Sequence, residues 1–135
     1  MQTKNVQYLG IDWGSVRIGL ALGDSETGMA SPYGIVASFD DVLKVIKKEE
    51  VEKIILGKPM MLSGGDENLM VGFVKFVEKL KKKTKLPLEL IDERLSSKAA
   101  DALVGDKKTK AGRDAVAAML ILQSYFDKMS YERNN

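Results

Sequence analysis

The stretch from Val6 to Asp24, VQYLGIDWGSVRIGLALGD, constrains this chain more than any other. Two apolar runs, Val6 to Asp12 and Val16 to Gly23, flank Trp13-Gly14-Ser15, which reads as two strands around a tight turn. The first strand closes on Asp12. Aspartate is depleted from strands, and a buried charge is costly without compensation. Either the fold brings Asp12 a partner, or Asp12 is a turn-former of the hairpin.

Downstream, Met29 to Ser38 fits a third short strand, with Pro32 demanding an edge position or an interruption. The three strands predict an antiparallel meander. The period then changes. Phe39 to Glu50 is helical, with Val42, Leu43, Val45 and Ile46 on its apolar face, and Ser38 followed by Asp41 resembles a capping box. Lys53 to Gly57 reads as a buried parallel strand, Pro59 to Gly65 as a loop, and Asp66 to Lys83 as a helix presenting Leu69, Phe73, Phe76, Val77 and Leu80. Leu88 to Asp92 is a further strand and Ser96 to Val104 a short helix. Gly105 to Gly112 is a basic loop, and Asp114 to Lys128 a last helix with Val116, Met119, Leu120 and Leu122 for the core. Polar ends at Met1 to Asn5 and Ser130 to Asn135 read as loose. The later strands each follow a helix, so right-handed crossovers should lay them parallel to the first. The expectation is one α/β domain over residues 1–135, a mixed sheet flanked by helices.

Composition narrows the chemistry. The chain has no His and no Cys, which excludes thiol nucleophiles, disulfides, Cys/His zinc sites and Ser-His or Cys-His catalysis. Asp, Glu, Lys, Tyr and water remain. The formal charge is only +2, but lysines gather at 79–85, and Lys107, Lys108, Lys110 and Arg113 gather ahead of the last helix. Each run reads either as a solvated surface or as a phosphate contact. The longest apolar run, Ala115 to Leu122, falls well short of the ~20 residues that span a bilayer, so a soluble cytoplasmic protein with no membrane partner is expected.

Ligand sites in such sheets gather at the carboxyl ends of parallel strands. Asp12, Gly57 and the pair Asp92-Glu93 occupy those ends. If the strand at 53–57 lies in the middle, Asp12 and Glu93 face each other over about 9–10 Å, two strand spacings. Gly57 offers no side chain to block them, and Asp114, just before or within the first turn of the last helix, converges from a third side. Three carboxylates around one point need a cation, and hard oxygen donors select Mg²⁺ or Mn²⁺. Singly, each has a plainer reading: a turn for Asp12, a surface ion pair with Arg94 for Glu93, a helix-end interaction for Asp114.

Four blocks, GIDWGSVRIGLALGD, IILGKP, IDERLSS and KAGRDAVAAMLILQSYF, together resemble the YqgF/RuvX family of Holliday junction resolvases and pre-16S ribosomal RNA nucleases, in the family order. The resemblance covers about Val6 to Lys128. It implies a ribonuclease H-like fold with sheet order 3-2-1-4-5, acidic catalytic and metal positions at Asp12, Glu93 and Asp114, and phosphate-binding basic positions at Arg17, Arg94 and Lys110. The implied function is Mg²⁺-dependent (or Mn²⁺-dependent) hydrolysis of nucleic-acid phosphodiesters in 5′-end processing of pre-16S ribosomal RNA. The alternatives are resolution of branched DNA by a homodimer, a non-catalytic nucleic-acid-binding factor, and an ATP-binding module built on the Asp-x-Gly turn. Monomer and homodimer both remain open.

Overall fold

The computed structural model describes residues 5–59, 67–92 and 110–134, the last with its helix backbone throughout but its side chains only over 114–130. The elements are β1 (Gln7–Trp13), β2 (Ile18–Asp24), β3 (Ala30–Val36), α1 (Phe39–Lys48), β4 (Lys53–Lys58), α2 (Glu67–Thr84), β5 (Leu88–Asp92) and α3 (Lys110–Asn134). The sheet runs β3-β2-β1-β4-β5. β1, β2 and β3 pair antiparallel, and β4 lies parallel to both β1 and β5. This is the order that the resemblance implies. β3 is the edge strand that Pro32 requires, and a register slip opposite Leu20 and Ala21 leaves Tyr33 as an extra residue. The short helix expected at 96–104 lies outside the described residues, as do Glu93, Arg94, Lys107 and Lys108.

Strand alternation splits β1 between two unlike layers. Leu9, Ile11 and Trp13 face α1 and α2. There, with Leu20, Ile54, Leu56, Val42, Phe73 and Leu80, they form a largely aliphatic core whose Leu, Ile and Val members are fully buried. Each such side chain contributes about 1.5–3 kcal/mol by leaving water. The predicted faces of α1 and α2 hold: Val42, Val45 and Ile46 are buried on one, Phe73, Phe76, Val77 and Leu80 on the other. Ser38 caps α1, its side chain accepting a hydrogen bond from the Asp41 N–H at 3.2 Å.

The opposite face carries Tyr8, Gly10 and Asp12, which stand across from Gly23, Ala21 and Gly19 of β2. Among the described elements α3 packs here, through Ile121, Leu122, Tyr125 and Phe126. It comes very close. A Cβ on Gly10 would sit 2.8 Å from the Ala118 carbonyl oxygen, and one on Gly19 would sit 2.1 Å from that of Asp114.

That approach corrects the expected face of the last helix. Of Val116, Met119, Leu120 and Leu122, only Leu122 is buried; Ala115, Ala117, Ala118 and Ile121 take the seam instead. A helix seated on glycines needs small residues at the contact, so bulk is displaced to its flanks. The helix is also longer than expected. It starts at Lys110, inside the segment read as a basic loop, and continues through Ser130 to Asn134, where a loose end was expected. Asp114 therefore lies in its second turn, not at or before its first.

Candidate active site

Asp12 is the next-to-last residue of β1 and pairs with Gly19, beneath the backbone of Asp114. β1 and α3, far apart in sequence, thus deliver one carboxylate each to the same end of the sheet. Both carboxylates line an open cavity of about 280 Å³, together with Trp13, Gly14 and Arg17. Trp13 turns to the other layer, packing on Phe73 and Phe76 with ring centroids at 6.0 and 6.2 Å. Its ring edge lies 3.1 Å from where a Cβ on Gly72 would stand. One wall of the cleft is thus anchored in the aliphatic core.

The side-chain contact that organises the cleft is an ion pair. Arg17 Nε donates to Asp114 Oδ2 at 3.1 Å, with the two side chains 39% and 24% exposed. Arg17 stands on the turn between β1 and β2, which Gly14 makes possible: a Cβ there would lie 2.7 Å from the Arg17 carbonyl oxygen.

β4 lies between β1 and β5, as the convergence of carboxylates requires. Gly57 pairs with Ile91, and Lys58 with Asp92, the last described residue of β5. Ile55 packs on α3, so strand alternation turns Gly57 to the same face as Asp12, where it is buried and β4 puts no side chain beside the carboxylate. Of the nine residues named from sequence, the structure joins Asp12, Arg17 and Asp114. Lys110 and Arg113 lie on the backbone of the first turn of α3 with their side chains undescribed, and Glu93, Arg94, Lys107 and Lys108 fall outside the description.

Among the described residues no three Asp or Glu side chains form a metal-binding group. The pair Asp12 and Asp114 nevertheless has the donor chemistry of a hard cation, since Mg²⁺ keeps several waters and takes one or two carboxylates.

Size alone would have pointed elsewhere. A larger concavity of about 540 Å³ runs along α2 and is lined by Lys75, Glu78, Lys79, Lys81 and Lys82, with no convergent carboxylates. Sequence reasoning missed Gly19, which sets how deeply Asp114 is seated. Its signal is the alternation Gly19-x-Ala21-x-Gly23, small residues at every second position of one strand.

The sequence profile described as "RuvX: Holliday junction resolvase" matches residues 6–128. The chain belongs to the RuvX family. Its relatives in that family include a Maridesulfovibrio salexigens protein, 35% identical over 131 residues, covering 89% of this chain and 97% of the relative. A Methylobacillus flagellatus protein is 35% identical over 133 residues, covering 90% and 91%. Both carry the name "Putative pre-16S rRNA nuclease". Among solved structures, Thermus thermophilus RuvC in complex with a Holliday junction aligns with a TM-score of 0.63 at 17% identity, covering 93% of this chain and 96% of that one. The fowlpox virus resolvase bound to junction DNA aligns at 0.61 and 12% identity, covering 92% and 99%. These structural likenesses are likenesses of fold: the RuvX chain has the ribonuclease H-like architecture of the resolvases.

Proposed function

We propose that this RuvX-family chain is a single-domain, divalent-metal-dependent nuclease that hydrolyses phosphodiesters in the 5′-end processing of pre-16S ribosomal RNA. The observation that carries the reading is that Asp12 and Asp114, brought from opposite ends of the chain, line one cleft at the carboxyl end of the parallel strands. The names of the two relatives supply the substrate class. A cytoplasmic site of action follows from that substrate, and no described helix is long and apolar enough to cross a membrane.

Asp12, Glu93 and Asp114 hold Mg²⁺ or Mn²⁺ in this reading. The bound ion supplies a water of lowered pKa and neutralises charge at the phosphate. The chain's own residues do the rest. α3 seats Asp114 over Gly19, and the rigid β1–β2 pairing fixes Asp12. Trp13 closes one wall against water. Arg17, Arg94, Lys107, Lys108, Lys110 and Arg113 provide cationic contacts to the backbone, which give salt-sensitive and largely sequence-independent affinity. No histidine is available as general base, and none is needed where a metal acidifies water.

The test is cleavage of a structured precursor RNA and of a four-way DNA junction in Mg²⁺ by the parent chain and by Asp12→Asn, Glu93→Gln and Asp114→Asn. Each substitution should lower the rate by at least about a hundredfold. Variants that cut like the parent refute the assignment. Cleavage of the junction alone, by a protein whose mass doubles on it, replaces the ribosomal substrate with branched DNA. Retained RNA binding with no turnover in any divalent ion makes the chain a binding factor.

A further inference from the structure

We propose that Arg17 is the resident counter-ion of Asp114, displaced when a divalent cation takes the carboxylates and thereby handed to the phosphodiester. The inference rests on the nuclease reading and concerns how its metal and substrate sites are coupled.

Among the described residues Asp12 and Asp114 line the cleft, and Arg17 pairs with Asp114 at 3.1 Å across 97 positions of sequence. The contact is a single Nε–H bond to one oxygen, not the bidentate fork that makes arginine–carboxylate pairs strongest. The base of the arginine is fixed, because Gly14 tucks under its carbonyl. Its side chain is 39% exposed, and Ser15 and Val16 beside it are exposed, Val16 to 73%, so it can swing outward without disturbing either core. A dication arriving at Asp12 and Asp114 removes the reason for the contact and repels its partner at short range. The acceptor that best replaces a carboxylate for a planar guanidinium is a phosphate, and the substrate brings one to this cleft. Metal and substrate therefore bind cooperatively through one side chain, and the coupling is reciprocal.

Trp13 is the sole tryptophan and lines the cavity, so its fluorescence, alongside calorimetry, reads Mn²⁺ binding directly. Arg17→Gln should bind Mn²⁺ roughly three- to tenfold more tightly than the parent, and Arg17→Lys close to the parent. An equal or weaker affinity for Arg17→Gln, with unchanged circular dichroism, overturns the proposal. The parent protein gives an independent measurement. With four arginines in the chain, the Arg17 Nε–H resonance can be assigned, and saturating Mg²⁺ should shift it and speed its exchange with water. A resonance indifferent to Mg²⁺ overturns the proposal even if the variants do not fold. For the hand-over, a short RNA should bind the parent more tightly in Ca²⁺ than in chelator, and Arg17→Gln should lose that gain; an equal gain in both refutes it. The two levels separate cleanly. A parent that binds no Mn²⁺ brings down the nuclease reading along with this one. Asp12-dependent Mn²⁺ binding with no tightening in Arg17→Gln removes the counter-ion role alone.

Discussion

Gly19 decides how deeply Asp114 sits. A methyl group there would stand 2.1 Å from a carbonyl oxygen of α3, and a backbone atom cannot rotate away as a side chain tip can. Gly19→Ala must therefore push the start of α3 off the sheet, at a cost of about 2–4 kcal/mol. The displaced turn carries Asp114 away from Asp12. Cleavage should thus fall by more than the unfolded fraction explains, which urea melts and rates measured on one preparation will show. A Gly19→Ala protein with parental stability would mean that α3 docks less tightly than the structure has it. Asp12 was legible in the sequence, because an aspartate closing an apolar strand is anomalous by itself. The Arg17–Asp114 pair was not. The resemblance implies a phosphate contact for Arg17, and only the folded chain joins it to a carboxylate 97 positions away.

Among the elements, α3 joins the site to the far end of the sheet. The side-chain carbonyl oxygen of Gln123 accepts from the Ala30 N–H at 2.9 Å and its amide donates to the Gly28 carbonyl at 3.0 Å, pinning the β2–β3 turn. Lys53, at the start of β4, donates to the Tyr125 hydroxyl at 2.6 Å and lies 4.9 Å from its ring centroid. Burial pulls the Lys53 ammonium down, but the Tyr125 hydrogen bond and the negative potential of Tyr125 and Glu89 outweigh it, and the group ends above the ordinary lysine value. A raised folded-state value means that the stabilisation is complete below the unfolded lysine pKa, near 10.5, and is lost as pH rises through the folded one. Tyr125→Phe should therefore cost about 1 kcal/mol at pH 7 and at pH 9 alike. The gap between parent and variant should narrow only as pH rises past the unfolded lysine value of 10.5. Denaturant midpoints at three pH values check this, and a gap already closing between pH 7 and 9 would contradict it. The faces of α1 and α2 were legible because ordinary 3.6-residue periodicity against an aliphatic sheet makes them. That of α3 was not, because glycines on two neighbouring strands invite alanines to the seam and leave Met119 and Leu120 only partly buried.

At the scale of the whole molecule the two layers divide the labour. The layer under α1 and α2 is dense and aliphatic and supplies stability; the layer under α3 is thin, glycine-seated and polar at one end, and supplies the cleft. The mixed sheet was legible because the pattern changes from hairpin to alternating helix and strand, and the strand order came from the family resemblance, whereas this asymmetry emerges only from register, which sends Leu9 and Ile11 one way and Gly10 and Asp12 the other. Stability and metal binding should accordingly be separable by mutation. A ligand that binds only the folded state stabilises it by about 1.4 kcal/mol at ten times its dissociation constant. For a chain of this size that is a rise of roughly 4–8 °C in melting temperature. Mn²⁺ should produce that rise in the parent and none in Asp12→Asn. Ile54→Val, a fully buried change in the aliphatic layer, should lower the baseline by about 0.5–1.5 kcal/mol yet keep the whole Mn²⁺ increment. Differential scanning calorimetry of the three proteins with and without Mn²⁺ decides the matter. If Ile54→Val loses the increment, the layers are coupled and the division fails; if Asp12→Asn keeps it, the ion binds elsewhere than the cleft.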